Sequence, residues 1–414
     1  MELGYLDKIK NNYQNMKKHL KYTPLDNNFD YSHFYKCNIF FKREDLQTVR
    51  SFKIRGALNK ILSENCKDVV CASAGNHAQG FAYCCQKLNL NGDIFLPTTT
   101  PPQKINRIKY FSQNTCKLHI VGDNFDQTLQ EATNFSQKNN KTFIHPYDDL
   151  NVIDGQATLA YEINEQLENM QITPDIIICS IGGGGLISGM SKYFKSINPN
   201  IKIYGVEPDY CASMKISVEN GYRIKIDTDD TFVDGATVKM VGLETFDICK
   251  EYVDKFLTVS NGRLCQEILT LYQNHGIISE PAGALSISCL DQIKDEIVGK
   301  NIVCILSGGN NDITRYPEII EKYMTYKNLR HYYILEFKQK PGELKFFINN
   351  ILGPDDDIIR FEYMKKTNQN FGNVLIGIET TSPDNIFEIN EKLDKFKIKH
   401  TKVNLQEQLY KYII

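Results

Sequence analysis

Short, wholly apolar runs recur along the first three quarters of the chain and alternate with stretches of helical spacing. Asn38-Ile39-Phe40-Phe41 and residues 67–72, 92–96, 117–122, 175–181, 201–206 and 301–306 each read as a strand. Helical spacing follows at Ala57, Leu58 and Ile61, resumes at Phe81, and returns as an amphipathic stretch from Asp126. Strands that are apolar throughout, rather than alternating, are buried on both faces, as in a parallel sheet clad in helices. Residues 1–30 read as a helix and a loop closing at Tyr22-Thr23-Pro24-Leu25.

After Tyr316-Pro317 a helical stretch gives way to a different pattern. Residues 331–337, 358–363 and 373–379 read as strands, the last two around the turn-forming Asn368-Gln369-Asn370. Pro341-Gly342-Glu343-Leu344 opens a helix through Phe347 and Ile348; another starts at Asn385, and a last strand lies near 399–403. This βαββαβ order predicts a ferredoxin-like α+β module of about ninety residues with its own core. A linker is expected near 318–329.

The composition fits an ordinary soluble globular protein: 414 residues, 42% hydrophobic, 24% charged, net charge -2. That leaves room for two or three domains. So balanced a charge gives no electrostatic grounds for binding nucleic acid or an anionic membrane. No uninterrupted apolar run is long enough to span a bilayer. The first residues, Met1-Glu2-Leu3-Gly4-Tyr5-Leu6-Asp7, are acidic and lack the apolar core of a signal peptide. Twelve cysteines include no Cys-x-x-Cys pair, and Cys71, Cys179 and Cys304 lie in strand-like runs. Buried free thiols in a reducing, cytoplasmic compartment are expected, with no metal site.

In an open parallel sheet, ligands bind beyond the carboxyl ends of the strands. Three strands here end in loops of Gly, Ser and Asn. After 67–72 comes Ser73-Ala74-Gly75-Asn76-His77-Ala78-Gln79-Gly80; after 175–181, Gly182-Gly183-Gly184-Gly185-Leu186; after 301–306, Ser307-Gly308-Gly309-Asn310. Bare amides opening a helix hold a phosphate well, which suits the glycine run. The run is not a P-loop, because Met190 stands where lysine is required. It does not fit Gly-x-Gly-x-x-Gly either, although Glu207 imitates the ribose-binding acid of a dinucleotide site.

Ser51-Phe52-Lys53-Ile54-Arg55-Gly56-Ala57 sets a lysine between apolar neighbours at a helix start. Poor solvation lowers an ammonium's pKa and frees the amine that a Schiff base needs; on this heptapeptide alone a snorkelling surface lysine fits as well. Ser and Asn in the 73–80 loop would equally serve as ordinary caps. His145-Pro146-Tyr147-Asp148-Asp149 and Val233-Asp234-Gly235 read as turns. Glu280-Pro281-Ala282-Gly283-Ala284 reads as a helix start with proline near its first position, with Glu280 either structural or in contact with a ligand.

Taken together and in this order, the Lys53 heptapeptide, the 73–80 loop, the glycine run, the 280–284 segment and the 307–310 loop resemble the pyridoxal-phosphate enzymes of the tryptophan-synthase-β type. Within that group the chain is most similar to the threonine dehydratases (threonine ammonia-lyases), over residues 20–320. The tail from about 325, with Pro341-Gly342-Glu343-Leu344, resembles the single ACT-like regulatory domain of their short biosynthetic form.

The resemblance implies two doubly wound parallel-sheet lobes in residues 1–320, the smaller, roughly 50–150, inserted in the larger. An ACT-like domain would follow over 325–414. It implies that Lys53 carries the cofactor and Phe52 packs beside its ring. Asn76 would donate to the ring oxygen, Gly182, Gly183, Gly184, Gly185 and Leu186 would cradle the phosphate, and Ser307 would face the ring nitrogen. Ser73, Asn76 and His77 would lie near the substrate carboxylate.

The implied reaction turns L-threonine into 2-oxobutanoate and ammonia, and L-serine into pyruvate, with isoleucine as allosteric inhibitor and a homo-tetramer as the assembly. Ser307 would not hold the ring nitrogen protonated as an aspartate does, which favours β-elimination. Related racemases usually carry serine where this chain has Ala74, which has no proton to give. A serine dehydratase or racemase remains the alternative within the fold, and an amino-acid sensor with an idle catalytic half the alternative outside enzymes.

Overall fold

The computed structural model describes residues 2–365 and 369–403, with side chains from Gly4 onward. Asn368 of the expected turn and the end of the tail lie outside these residues. The chain falls into two compact units, Met1–Asn311 and Asp312–Ile414.

The first unit holds β1 (Leu25–Asn27), β2 (Asn38–Arg43), β3 (Asp68–Ala72), β4 (Asn91–Leu96) and β5 (Cys116–Ile120). It continues through β6 (Thr142–Phe143), β7 (Ile176–Ser180), β8 (Lys202–Pro208), β9 (Lys255–Val259) and β10 (Asn301–Leu306). A six-stranded sheet runs β1-β2-β10-β7-β8-β9, parallel except for the β1 edge. A wholly parallel four-stranded sheet runs β5-β4-β3-β6. The strands legible as apolar runs are β2, β3, β4, β5, β7, β8 and β10; most are buried throughout, whereas β5 lies at an edge and is only half-buried. The short β1 and β6 carry too few apolar residues to stand out, while β9, five residues long with Phe256, Leu257 and Val259 apolar, is a strand absent from the expectation.

Strand β10, last in sequence, inserts between β2 and β7, with Leu306 level with Arg43 and Cys304 level with Ile178. Parallel pairing therefore brings the loops after β2, β7 and β10 to one edge. The helix Lys53–Ser63 packs in one core with the helix Asn76–Leu88, through Ile54, Ala57, Leu58 and Ile61 against Ala78, Phe81 and Ala82. Gly80 permits their close approach, since a Cβ there would sit 3.0 Å from the Ile54 nitrogen. Lys53 is thereby held beside the 73–80 loop.

Behind Lys53 lies a buried charge network. Arg55 bonds Glu44 at 2.8 Å and Glu162 at 2.9 Å, and Lys42 bonds Glu162 at 2.6 Å, with all four side chains fully enclosed. Thr23 and Gln166 complete it, Thr23 donating to both carboxylates and Gln166 accepting from Lys42. Two cations and two anions balance, which is what permits their burial. The network ties the end of β2 to the helices Lys53–Ser63 and Leu150–Asn169.

The second unit opens with the helix Tyr316–Tyr326, which occupies most of the stretch expected as a linker. Strands β11 (Arg330–Lys338), β12 (Asp357–Tyr363), β13 (Phe371–Glu379) and β14 (His400–Lys402) follow. They form an antiparallel sheet in the order β12-β13-β11-β14, which is the ferredoxin-like arrangement. Tyr333, Leu335 and Phe337 alternate inward beside Val374, Ile376 and Ile378. The helices Glu343–Asn350 and Asn385–Lys395 cover that face through Phe347, Ile386, Ile389 and Leu393.

Candidate active site

The segment before Lys53 is stitched to the loop after β10. Phe52 N donates to Ser307 O at 3.1 Å, Gly309 N donates to Arg50 O at 2.9 Å, and Ser51 bridges Gly308. Lys53 is the first residue of its helix, and its Nζ donates to Pro146 O at 2.9 Å, 5.3 Å from the Phe52 ring centre. Enclosure by protein pushes the amine down to about 8, and the nearby Glu280 carboxylate offsets part of that fall.

Asn76 begins its helix and is fixed from both ends: Asn310 Nδ2 donates to its Oδ1 at 2.8 Å, and its own Nδ2 donates to Glu280 Oε1 at 2.6 Å. Burial pushes the Glu280 carboxyl up to about 7, and the Asp234 charge adds to the rise. Ser73 Oγ accepts from Gly75 N at 3.1 Å, setting the turn that presents the loop's amides. His77 is buried, its Nε2 2.9 Å from Ile144 O.

The glycine run follows β7 directly and opens the helix Gly185–Ile197. Gly184 has a φ of +92°, a backbone that glycine adopts without strain. A Cβ at Gly183 would lie 2.3 Å from the Tyr147 ring, and one at Gly182 3.0 Å from the Ala236 backbone, so the loop is enclosed too tightly for side chains. Thr245 Oγ1 pins it by donating to Gly183 O at 2.7 Å. Among the described residues the amides of Gly182, Gly183 and Gly184 have no backbone acceptor. Leu186 is buried in the first turn. At the ends of β7 and β10, Ser180 Oγ donates to Ser307 Oγ at 3.2 Å, and Ser307 Oγ donates to Ala282 O at 3.3 Å.

Lys53, Phe52, Ser73, Asn76, His77, the glycine run and Ser307 thus all lie in the first unit, around the ends of β3, β7 and β10. A depressed amine and a loop of unpaired amides at a helix start suit a ligand that carries both an aldehyde and a phosphate. That combination is the chemistry of pyridoxal phosphate, and it defines the class of enzyme. Residues 16–308 match the family described as pyridoxal-phosphate dependent enzyme, and residues 321–413 match the C-terminal regulatory domain of threonine dehydratase.

The chain is 47% identical over 407 residues to a biosynthetic L-threonine dehydratase of Staphylococcus epidermidis, covering 97% of this chain and 96% of that one. Among solved structures, the processed form of threonine deaminase isoform 2 from Solanum lycopersicum has a TM-score of 0.71 and 37% identity, covering 77% of this chain and 93% of that one. A serine racemase from Dictyostelium discoideum has a TM-score of 0.68 and 30% identity, covering 74% and 99%. The chain belongs to the biosynthetic threonine dehydratases, which depend on pyridoxal phosphate.

Several residues here were not legible as functional. Pro146 contributes only a carbonyl, and Tyr147 a ring lying over the glycines. Asp148 accepts from the amides of Leu243, Glu244 and Thr245, so the segment read as a turn also caps the helix Leu243–Tyr252. Glu207 accepts from Met214 N and Lys215 N at 2.8 and 2.9 Å. Its carboxylate caps a helix and is not available to a ribose.

Proposed function

We propose that the protein binds pyridoxal phosphate through Lys53 and converts L-threonine to 2-oxobutanoate and ammonia, and L-serine to pyruvate. The observation that carries this reading is the Lys53 amine, pushed down to about 8 by burial and held by Pro146 O beside the 73–80 loop. Bound there, pyridoxal phosphate supplies an electron sink for charge developing at the substrate's Cα.

The chain's residues do the rest. The amides of Gly182, Gly183 and Gly184 with the start of the helix at Gly185 would hold the phosphate. Asn76 has a second amide hydrogen to donate to the ring oxygen, its first being taken by Glu280. Ser307 Oγ, oriented by Ser180, would face the ring nitrogen as a neutral partner. Amides of the Ser73 to His77 loop would orient the substrate carboxylate. Lys53 Nζ would accept the Cα proton, and the β-hydroxyl would then leave. Ala74 has no proton to give to the opposite face, which supports dehydration over racemisation.

The second unit, read as an ACT-like domain over 325–414, would bind isoleucine and lower activity as feedback on isoleucine biosynthesis. The assembly proposed is a cytoplasmic homo-tetramer. The test is release of 2-oxo acid from L-threonine by the purified protein with pyridoxal phosphate, with and without isoleucine. Turnover suppressed by isoleucine supports both parts. Turnover indifferent to isoleucine removes the regulatory part, and consumption of serine but not threonine moves the enzyme to the serine dehydratases.

A further inference from the structure

His77 carries a feature that its helix-cap position does not require. The Ile144 carbonyl can only accept, so the hydrogen of the imidazole sits on Nε2, 2.9 Å from that oxygen. The neutral ring then keeps a bare lone pair on Nδ1. That atom is enclosed and has no hydrogen-bond partner among the described residues, in a side chain only 2% exposed. A buried acceptor without a donor is costly and rare in folded proteins, and calls for an explanation.

Lys53 and His145 are the titratable groups that act on the ring, and burial with the Lys53 charge keeps it neutral down to about 3. His145 spends its own Nδ1 accepting from Asp148 N at 2.7 Å and Tyr147 N at 3.3 Å. Lys53 Nζ bonds Pro146 O, and His77 bonds Ile144 O, so both side chains are anchored two residues apart on one segment. A free lysine that accepts a proton becomes an ammonium with three hydrogens, of which Pro146 O satisfies one.

We propose that His77 is a positioning residue whose Nδ1 is the second acceptor, beside Pro146 O, for the Lys53 ammonium formed when the lysine takes the substrate's Cα proton. The acceptor is well chosen. A ring this hard to protonate accepts from the ammonium without competing for its proton. The inference rests on the reading of Lys53 as the proton-accepting amine.

The test compares His77→Leu, which fills the space without an acceptor, with His77→Gln, which restores one. The readouts are kcat, KM for L-threonine, the isotope effect with Cα-deuterated threonine, and the visible absorbance of the bound cofactor. With cofactor absorbance retained, leucine should lower kcat by about 10- to 100-fold with little change in KM and raise the isotope effect; glutamine should recover most of both. An unchanged isotope effect in the leucine variant, a loss confined to KM, or a glutamine variant no better than leucine overturns the proposal. If the leucine variant does not fold, His77→Asn against His77→Gln carries the comparison, the shorter acceptor giving the larger isotope effect; equal values overturn it. Native turnover of threonine is the control, and its failure would indict the reading of the reaction and not of His77.

Discussion

Asn76 Nδ2 donates to Glu280 Oε1 at 2.6 Å, joining residues 204 positions apart. The carboxyl that receives this bond is itself held up to about 7 by burial, against a usual 4.5. Between these values the folded protein keeps a proton that the unfolded chain has released. The carboxyl's favourable contribution is therefore complete below about 4.5 and fades as pH rises to 7. Glu280→Gln keeps an acceptor for Asn76 and removes the titration. Its melting temperature relative to the native protein should rise between pH 5 and pH 8; a constant difference across that range would contradict the assignment.

The charge network around Arg55 makes a separate prediction about stability. Glu162 receives Lys42, Arg55 and the Thr23 amide, all buried. Glu162→Gln keeps the shape and removes one of two anions facing two cations. A buried charge left uncompensated costs about 3–5 kcal/mol. Denaturant unfolding of the first unit should show a loss of that order, and a loss below about 1 kcal/mol would mean that water reaches the network.

Gly183 tests the glycine run independently of Lys53. A Cβ there meets the Tyr147 ring at 2.3 Å, so Gly183→Ala must displace the ring or the loop. Overpacking of this kind costs about 1–3 kcal/mol, or roughly 5- to 150-fold in cofactor affinity if the loop bears the shift. Titration of the cofactor-depleted protein with pyridoxal phosphate measures it. Unchanged affinity would place the phosphate elsewhere.

Residues after 311 form a unit with a core of their own. A chain ending after Arg315 should turn over threonine without responding to isoleucine. Inhibition retained in that chain would put the effector in the first unit.

Much of this arrangement can be read from the amino-acid sequence because it is local. Asn76 and the glycine run lie within a few residues of apolar strand ends, in loops that carry glycine, serine and asparagine for backbone reasons that act over four or five positions, and Lys53 opens a helix between apolar neighbours. The parts that escape such reading are long-range or carried by the main chain. Pro146 acts through a carbonyl, which any residue possesses, 93 positions from Lys53. Arg55, Lys42 and Glu162 look like surface charges until helix packing brings them together. The helical stretch read after Tyr316-Pro317 is the helix Tyr316–Tyr326, with its proline in the first turn, so most of the stretch expected as a linker is helical.

The account turns on Lys53 as the residue that carries the cofactor. Borohydride reduction of the purified, pyridoxal-phosphate-loaded protein, followed by proteolysis and mass mapping, tests this directly. The mass of the reduced cofactor should fall on the peptide containing Lys53, with the visible absorbance lost in Lys53→Ala. The same mass on a peptide holding another lysine, or absorbance kept by Lys53→Ala, would contradict it.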